Sequence, residues 1–130
     1  MYSPAYFQEL REQLAFLVRE GKGLCAIRYP RGKELYKPSY FESSLLPFTV
    51  YGPQTGEIAL VTYGRIFSFA AETAELLGNL GYPVKLVKLN RIIPMDQGAV
   101  QAVSYTHLRR ISEELRRKSC VSGSSSAPES

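Results

Sequence analysis

The spacing of apolar residues predicts a helix near the start of the chain. Intervals of three and four place one set of residues on a single face: Phe7, Leu10, Leu14 and Leu17 or Val18. Ser3 can cap this helix, Pro4 suits its first position, and Gly21 ends it. The continuous apolar run at residues 24–27 follows, and such a run is typical of a strand buried on both faces.

The clearest pattern lies in the middle of the chain. Residues 58–63 and 84–89 are apolar, strand-length runs, and residues 66–80 between them have helical spacing. Strand, helix and strand with short connections predict parallel pairing and a right-handed crossover. Asp96 is placed to cap a further helix. Residues 33–57 are rich in turn residues, with one short extended stretch at 48–51, which favours a linker between two domains.

Length and composition limit the possible classes of protein. The chain has 130 residues and 45% hydrophobic content, which fits one globular domain or pieces of two. No apolar run is long enough to span a membrane, and the start lacks the pattern of a signal peptide. The net charge of +4 is dispersed, so we expect neither a nucleic-acid nor a membrane partner. Cys25 and Cys120 are far apart, which favours a reducing cytoplasm over a disulfide framework.

The turn at residues 28–32 is the most informative chemical feature. It reads Arg28-Tyr29-Pro30-Arg31-Gly32 and follows a predicted parallel strand, where open α/β sheets place their ligands. Arg31 offers the planar paired donors that suit a phosphate or a carboxylate. From the residues alone, an Arg31 tied to a neighbouring acid or carbonyl is an equally good interpretation.

Residues 26–32 resemble the motif that ends the pyrimidine-binding domain of the 1-deoxy-D-xylulose-5-phosphate synthases, thiamine-diphosphate enzymes of the transketolase family. Residues 58–65 and 84–96 are similar to the first two strands of that family's C-terminal domain. The resemblance implies an α/β fold with transketolase-type parallel sheets, in truncated pieces of two domains. It also implies four segments: 1–32 as the end of the pyrimidine-binding domain, 33–57 as the linker, 58–103 as the start of the C-terminal domain, and 104–130 as an unrelated low-complexity or artefactual tail.

The resemblance also implies a function. Such a synthase is a cytoplasmic, homodimeric transferase that condenses pyruvate with glyceraldehyde 3-phosphate to 1-deoxy-D-xylulose 5-phosphate, for isoprene and thiamine biosynthesis. Arg31 matches the arginine that binds the acceptor's phosphate in the family. The other four residues of the turn support it: Arg28, Tyr29, Pro30 and Gly32. Thiamine diphosphate and Mg²⁺ are the family's cofactors, but the motifs that hold them and the catalytic residues have no counterpart here. We therefore expect this chain, as a fragment, to be inactive and to bind no cofactor or metal.

Two alternatives stay open at this point. The chain can belong to another transketolase-type enzyme, or it can be a non-catalytic α/β interaction module. Other candidate residues are weaker. His107 has no metal-binding or triad partner at suitable spacing, Cys25 is expected to be an inert core residue, and the Gly64–Arg65 turn favours tight packing over a phosphate cradle.

Overall fold

The computed structural model describes residues 1–54, 57–103 and 116–117. Its helices and strands follow in chain order: α1 Phe7–Glu20, β1 Phe48–Tyr51, β2 Ile58–Tyr63, α2 Ile66–Asn79 and β3 Val84–Leu89. Residues 97–103 form a further helical segment, and the Asp96 carboxylate accepts a hydrogen bond from the Gly98 amide at 2.8 Å. The two central strands, the helix between them and the cap at Asp96 are therefore confirmed.

The three strands form one sheet in the order β1-β3-β2. β2 and β3 pair in parallel with Ile58 opposite Val84, and α2 makes the crossover between them. β1 pairs with β3 in the antiparallel direction, with Phe48 opposite Leu89. The α/β class is confirmed, but the expectation of a parallel sheet needs correction, because the edge strand makes this sheet mixed.

The core lies on both sides of β3, whose six residues are all buried. On one face, Tyr6, Phe41 and Phe67 form an aromatic cluster, with the Tyr6 and Phe41 ring centroids 4.6 Å apart. A second cluster on the other face includes Val87 and Ala99. The segment at 33–57 thus contributes the edge strand β1 and the buried Phe41 side chain of the aromatic cluster. The division into domains stays a prediction.

The N-terminal helix differs from its prediction in where it begins and which face it buries. It begins at Phe7 because Ser3 is held in an extended segment, where its amide donates to the Asn90 carbonyl at 3.1 Å. The predicted Ser3 cap is therefore absent from α1. The Glu9 carboxylate accepts a hydrogen bond from the Ala5 amide at 2.8 Å, and this amide lies just before the helix begins. The buried residues of α1 are Glu9 and Gln13, whereas its predicted apolar face is largely exposed.

Glu9 is buried because β3 presents a lysine to it. The Lys88 ammonium lies 2.6 Å from a Glu9 carboxylate oxygen, with exposed side-chain fractions of 0% and 1%. Lys88 also donates to the Asn90 side-chain oxygen at 2.6 Å. Burial lowers the pKa of Lys88, while the nearby Glu9 carboxylate acts in the opposite direction. The polar face of α1 is therefore the one that contacts the sheet.

The predicted strand at residues 24–27 is wrong. Only Ile27 makes a bridge, a parallel one with Tyr2, and Leu24 and Cys25 are exposed. An apolar run becomes a buried strand only where strands flank it, and Tyr2 offers a single residue. Cys25 is consequently not a core residue. His107, Cys120 and the tail from residue 104 lie outside the described residues, apart from 116–117, which are helical and exposed. None of the described helices combines the length and the apolar character that crossing a bilayer requires.

Candidate functional site

The carboxyl ends of β2 and β3 meet at one edge of the sheet, because the two strands run parallel. Arg65 comes soon after the end of β2, and Arg91 soon after the end of β3. Tyr2 joins this edge to the predicted turn, since it bridges both Ile27 and Arg91. Four arginines are thereby gathered here, and we call them the arginine edge: Arg28, Arg31, Arg65 and Arg91.

The turn that carries Arg31 is tied to the sheet at two points. The Arg28 amide donates to the Tyr2 carbonyl at 2.9 Å. Arg65 donates from Nη1 to the Arg31 carbonyl at 3.1 Å. Between these contacts Pro30 restricts the backbone, and Gly32 takes a φ of 113°, which a residue with a side chain rarely adopts. The turn therefore has one defined path at the arginine edge.

Gly64 allows the chain to pack closely beneath Arg65. Its φ is 58°, and a Cβ there would lie 2.7 Å from the Ser3 hydroxyl oxygen. Glycine is therefore needed for the approach of β2 to the N-terminal segment, as expected for tight-turn packing. This contact places the start of α2, and with it Arg65, next to the Arg31 turn.

Arg91 is held by the loop that follows β3. Its Nε donates to the Pro94 carbonyl at 3.0 Å, and its Nη2 lies 3.9 Å from the Asp96 carboxylate. Both side chains are partly exposed, at 28% and 35%, so water screens this ion pair. Arg91 thus presents a positive charge at the edge with one acid beside it.

The electrostatics of the arginine edge favour an anion. Arg28 and Arg31 are exposed, and neither forms an ion pair with another residue in the described part of the chain. Guanidinium groups bind phosphate through paired, charge-assisted hydrogen bonds. The adjoining pocket, lined by Tyr29, Gly32 and Arg65 among others, holds only about 20 Å³. An anion at this edge would therefore bind at the surface rather than in an enclosed cavity.

The structure brings the predicted turn residues together but leaves their role a prediction. Arg31 and its four neighbours lie in one largely exposed turn, which does not end a strand but is linked to the carboxyl ends of β2 and β3 through Tyr2 and Arg65. Sequence reasoning missed the hydrogen bond from Arg65 and did not single out Arg91. The signal was present in the sequence, because Arg65 and Arg91 each lie two residues after the end of a parallel strand that the apolar pattern predicts.

The described residues form no metal site, and their other notable groups are a free thiol and a buried ion pair. They contain no group of three or more histidine, cysteine, aspartate or glutamate side chains that could hold a metal ion. Cys25 is a free, exposed thiol whose Sγ lies 3.7 Å from the Gly23 carbonyl. The buried Glu9–Lys88 pair is the other notable ionic feature, and it lies between α1 and the sheet, away from solvent.

Comparison with known proteins gives two informative relatives. The chain is 38% identical over 77 residues to the 1-deoxy-D-xylulose-5-phosphate synthase of Bacillus cytotoxicus, covering 58% of this chain and 12% of the relative. It is 28% identical over 120 residues to the synthase of the same name from Chlorobium phaeovibrioides, covering 85% of this chain and 18% of the relative. The chain therefore spans less than a fifth of the curated relatives it matches. No protein-family model and no solved structure gives a significant match.

Proposed function

We propose that this chain is part of a thiamine-diphosphate-dependent transferase of the 1-deoxy-D-xylulose-5-phosphate synthase kind, and that Arg31 binds the phosphate of glyceraldehyde 3-phosphate. The similarity to two synthases supports the enzyme class. The observation that supports the residue assignment is the arginine edge, where four arginines lie on segments that backbone bridges and the Arg65 hydrogen bond join at the carboxyl ends of parallel strands. The proposed enzyme takes pyruvate as its second substrate, acts in isoprenoid biosynthesis, and is a cytoplasmic homodimer.

Arg31 contributes binding and orientation rather than acid–base chemistry. A guanidinium stays protonated at physiological pH, so it cannot exchange a proton with the reacting carbonyl. By fixing the phosphate end of the acceptor, Arg31 would orient the aldehyde end and lower the entropic cost of the reaction. Arg91 adds a second cation at the same edge, moderated by Asp96. Arg28, Tyr29, Pro30 and Gly32 shape the turn.

The described residues do not fit the cofactor's metal-bound diphosphate. Mg²⁺ prefers oxygen ligands, and carboxylates are its usual protein donors. The described acid of the arginine edge is Asp96, which already faces Arg91 and accepts the Gly98 amide. No group of three metal-binding side chains exists among residues 1–54, 57–103 and 116–117. Thiamine diphosphate and Mg²⁺ would have to be held by other parts of the proposed enzyme, and no catalytic step is assigned to this chain.

The proposal is tested in a full-length synthase that carries this segment. Arg31→Ala should raise KM for glyceraldehyde 3-phosphate by about ten- to a hundredfold, because a lost charged hydrogen bond costs roughly 1.5–3 kcal/mol. KM for pyruvate should change less than twofold. Lys33→Ala is the matched control, since it removes an exposed cation two residues away. Equal effects of Arg31→Ala on both substrates would contradict the phosphate assignment, and a segment that supports no synthase activity would contradict the enzyme class.

A further inference from the structure

Arg65 makes an unusual contact for a residue at the start of a helix. It occupies the N-cap position of α2, yet its side chain reaches away from the helix to the Arg31 turn. Its Nη1 donates to the Arg31 carbonyl at 3.1 Å. Its Nη1 and Nη2 also lie 3.7 and 3.9 Å from the position that a Cβ on Gly32 would occupy. One planar guanidinium therefore packs along two consecutive residues of the turn.

The turn depends on this contact for its position. Arg28 is anchored by its hydrogen bond to Tyr2, at 2.9 Å. From there to residue 33, the hydrogen bond from Arg65 is the only one that the backbone forms with the described residues. Gly32 takes a positive φ, and glycine has more accessible backbone conformations than any other residue. Without Arg65, the half of the turn that carries Arg31 would lose its anchor.

We propose that Arg65 is a positioning residue, which binds the backbone of the Arg31 turn and thereby presents the Arg31 guanidinium to a phosphate. This inference rests on the proposed phosphate site at Arg31. The gain comes from preorganisation, because a turn that is already fixed loses less conformational freedom when the anion binds. Arg65 suits this task better than lysine would, since its rigid fork can donate to the carbonyl while its plane packs against the glycine.

The test uses the full 130-residue chain and inorganic phosphate as the probe, titrated by ¹H–¹⁵N NMR. Arg31→Ala, Arg65→Ala and the double variant form a double-mutant cycle, with Lys33→Ala as the charge control. Arg65→Ala should weaken phosphate binding roughly two- to tenfold, the value of one ordinary hydrogen bond. In the Arg31→Ala background it should add less than a twofold loss, because there is then no guanidinium to position.

A second readout needs no phosphate. The ¹⁵N heteronuclear NOE of the Gly32 amide should fall in Arg65→Ala and stay unchanged in Lys33→Ala. An unchanged NOE in Arg65→Ala would overturn the inference, whatever happens to binding. So would an equal loss of affinity in both backgrounds, since Arg65 would then contact the phosphate itself. A third outcome is that the NOE falls in Arg65→Ala but Arg31→Ala leaves the phosphate affinity unchanged. The proposed phosphate site is then wrong. Arg65 would still anchor the turn but would position no ligand, so the inference would be overturned as well.

Discussion

The buried pair between Glu9 and Lys88 gives the sharpest stability prediction. Lys88→Met keeps the length and apolar stem of the side chain but removes its charge. In the native chain the ammonium lies 2.6 Å from the Glu9 carboxylate and 2.6 Å from the Asn90 side-chain oxygen. It also lies 5.6 Å from the Phe67 ring centroid, within range of a cation–π contact. After the substitution, Glu9 stays buried, and the Ala5 amide is its remaining hydrogen-bond donor among the described residues.

The cost follows from leaving that carboxylate without its counter-ion. Removing one partner of a buried ion pair typically costs about 3–5 kcal/mol. Domains of this size are stable by only about 5–15 kcal/mol, so this one change would remove about a fifth of the stability or more. With a urea dependence of about 1–3 kcal/mol per molar, the unfolding midpoint should fall by about 1 M or more. The assay is urea unfolding at pH 7, followed by circular dichroism.

Two controls separate the ionic effect from packing. The double variant Glu9→Gln with Lys88→Met removes both charges and should recover most of the lost stability, since neutral replacements of buried pairs are often tolerated. Lys37→Met removes an exposed lysine that lies 5.3 Å from the Tyr6 ring centroid, and it should cost less than about 1 kcal/mol. If Lys88→Met unfolds at the native midpoint, the pair is not buried as described and the reasoning is refuted.

Three further predictions concern other parts of the chain. Burial, and secondarily the Glu9 charge, raises the pKa of Tyr51 from 10.0 to about 12. Above pH 10 the unfolded chain releases this proton before the folded chain does, so stability is lost between pH 10 and 12. Tyr51→Phe should therefore reduce the fall in the urea midpoint between pH 9 and 11. An unchanged fall would exclude Tyr51 as its source. Gly64→Ala should lower the free energy of unfolding by about 1–2 kcal/mol because of its positive φ, and further because the new Cβ clashes with the Ser3 hydroxyl. Adding Ser3→Ala should recover only the loss due to the clash in the same unfolding assay. Asp96→Asn keeps an acceptor for the Gly98 amide but removes the negative charge beside Arg91. The phosphate affinity of the arginine edge, measured by NMR titration, should therefore rise. A lower affinity would contradict the role of Arg91 there.

The sequence was sufficient for the elements whose neighbours are close along the chain. Residues 58–63 and 84–89 pair with each other through a short crossover, so the apolar runs and their turn residues determine both strands and their direction. The premise that placed the Arg31 turn was wrong, because residues 24–27 form no strand; the turn reaches the sheet edge through the bridges of Tyr2 to Ile27 and Arg91 instead. That Phe48–Tyr51 joins the same sheet could not be predicted, because a four-residue stretch carries no sign of its partner strand.

The errors have a common physical cause. Helical spacing identified α1 but could not show that Lys88, some eighty residues later, would draw Glu9 to the sheet. The run at residues 24–27 was apolar enough for a buried strand, yet burial depends on flanking strands that local pattern does not reveal. The contact from Arg65 to the Arg31 carbonyl is of the same kind, because it joins residues 34 positions apart.

The outward apolar face of α1 affects how the purified chain will behave in solution. Phe7, Leu14 and Val18 are 58%, 49% and 78% exposed, and Leu24 beyond the helix is fully exposed. Contiguous exposed apolar surface promotes self-association, and sulfate or phosphate salts strengthen it because they are excluded from protein surfaces. The chain should therefore bind hydrophobic resins and enhance the fluorescence of apolar dyes while folded. It should also salt out early, so phosphate titrations are best made at low protein concentration, with a chloride control of equal ionic strength.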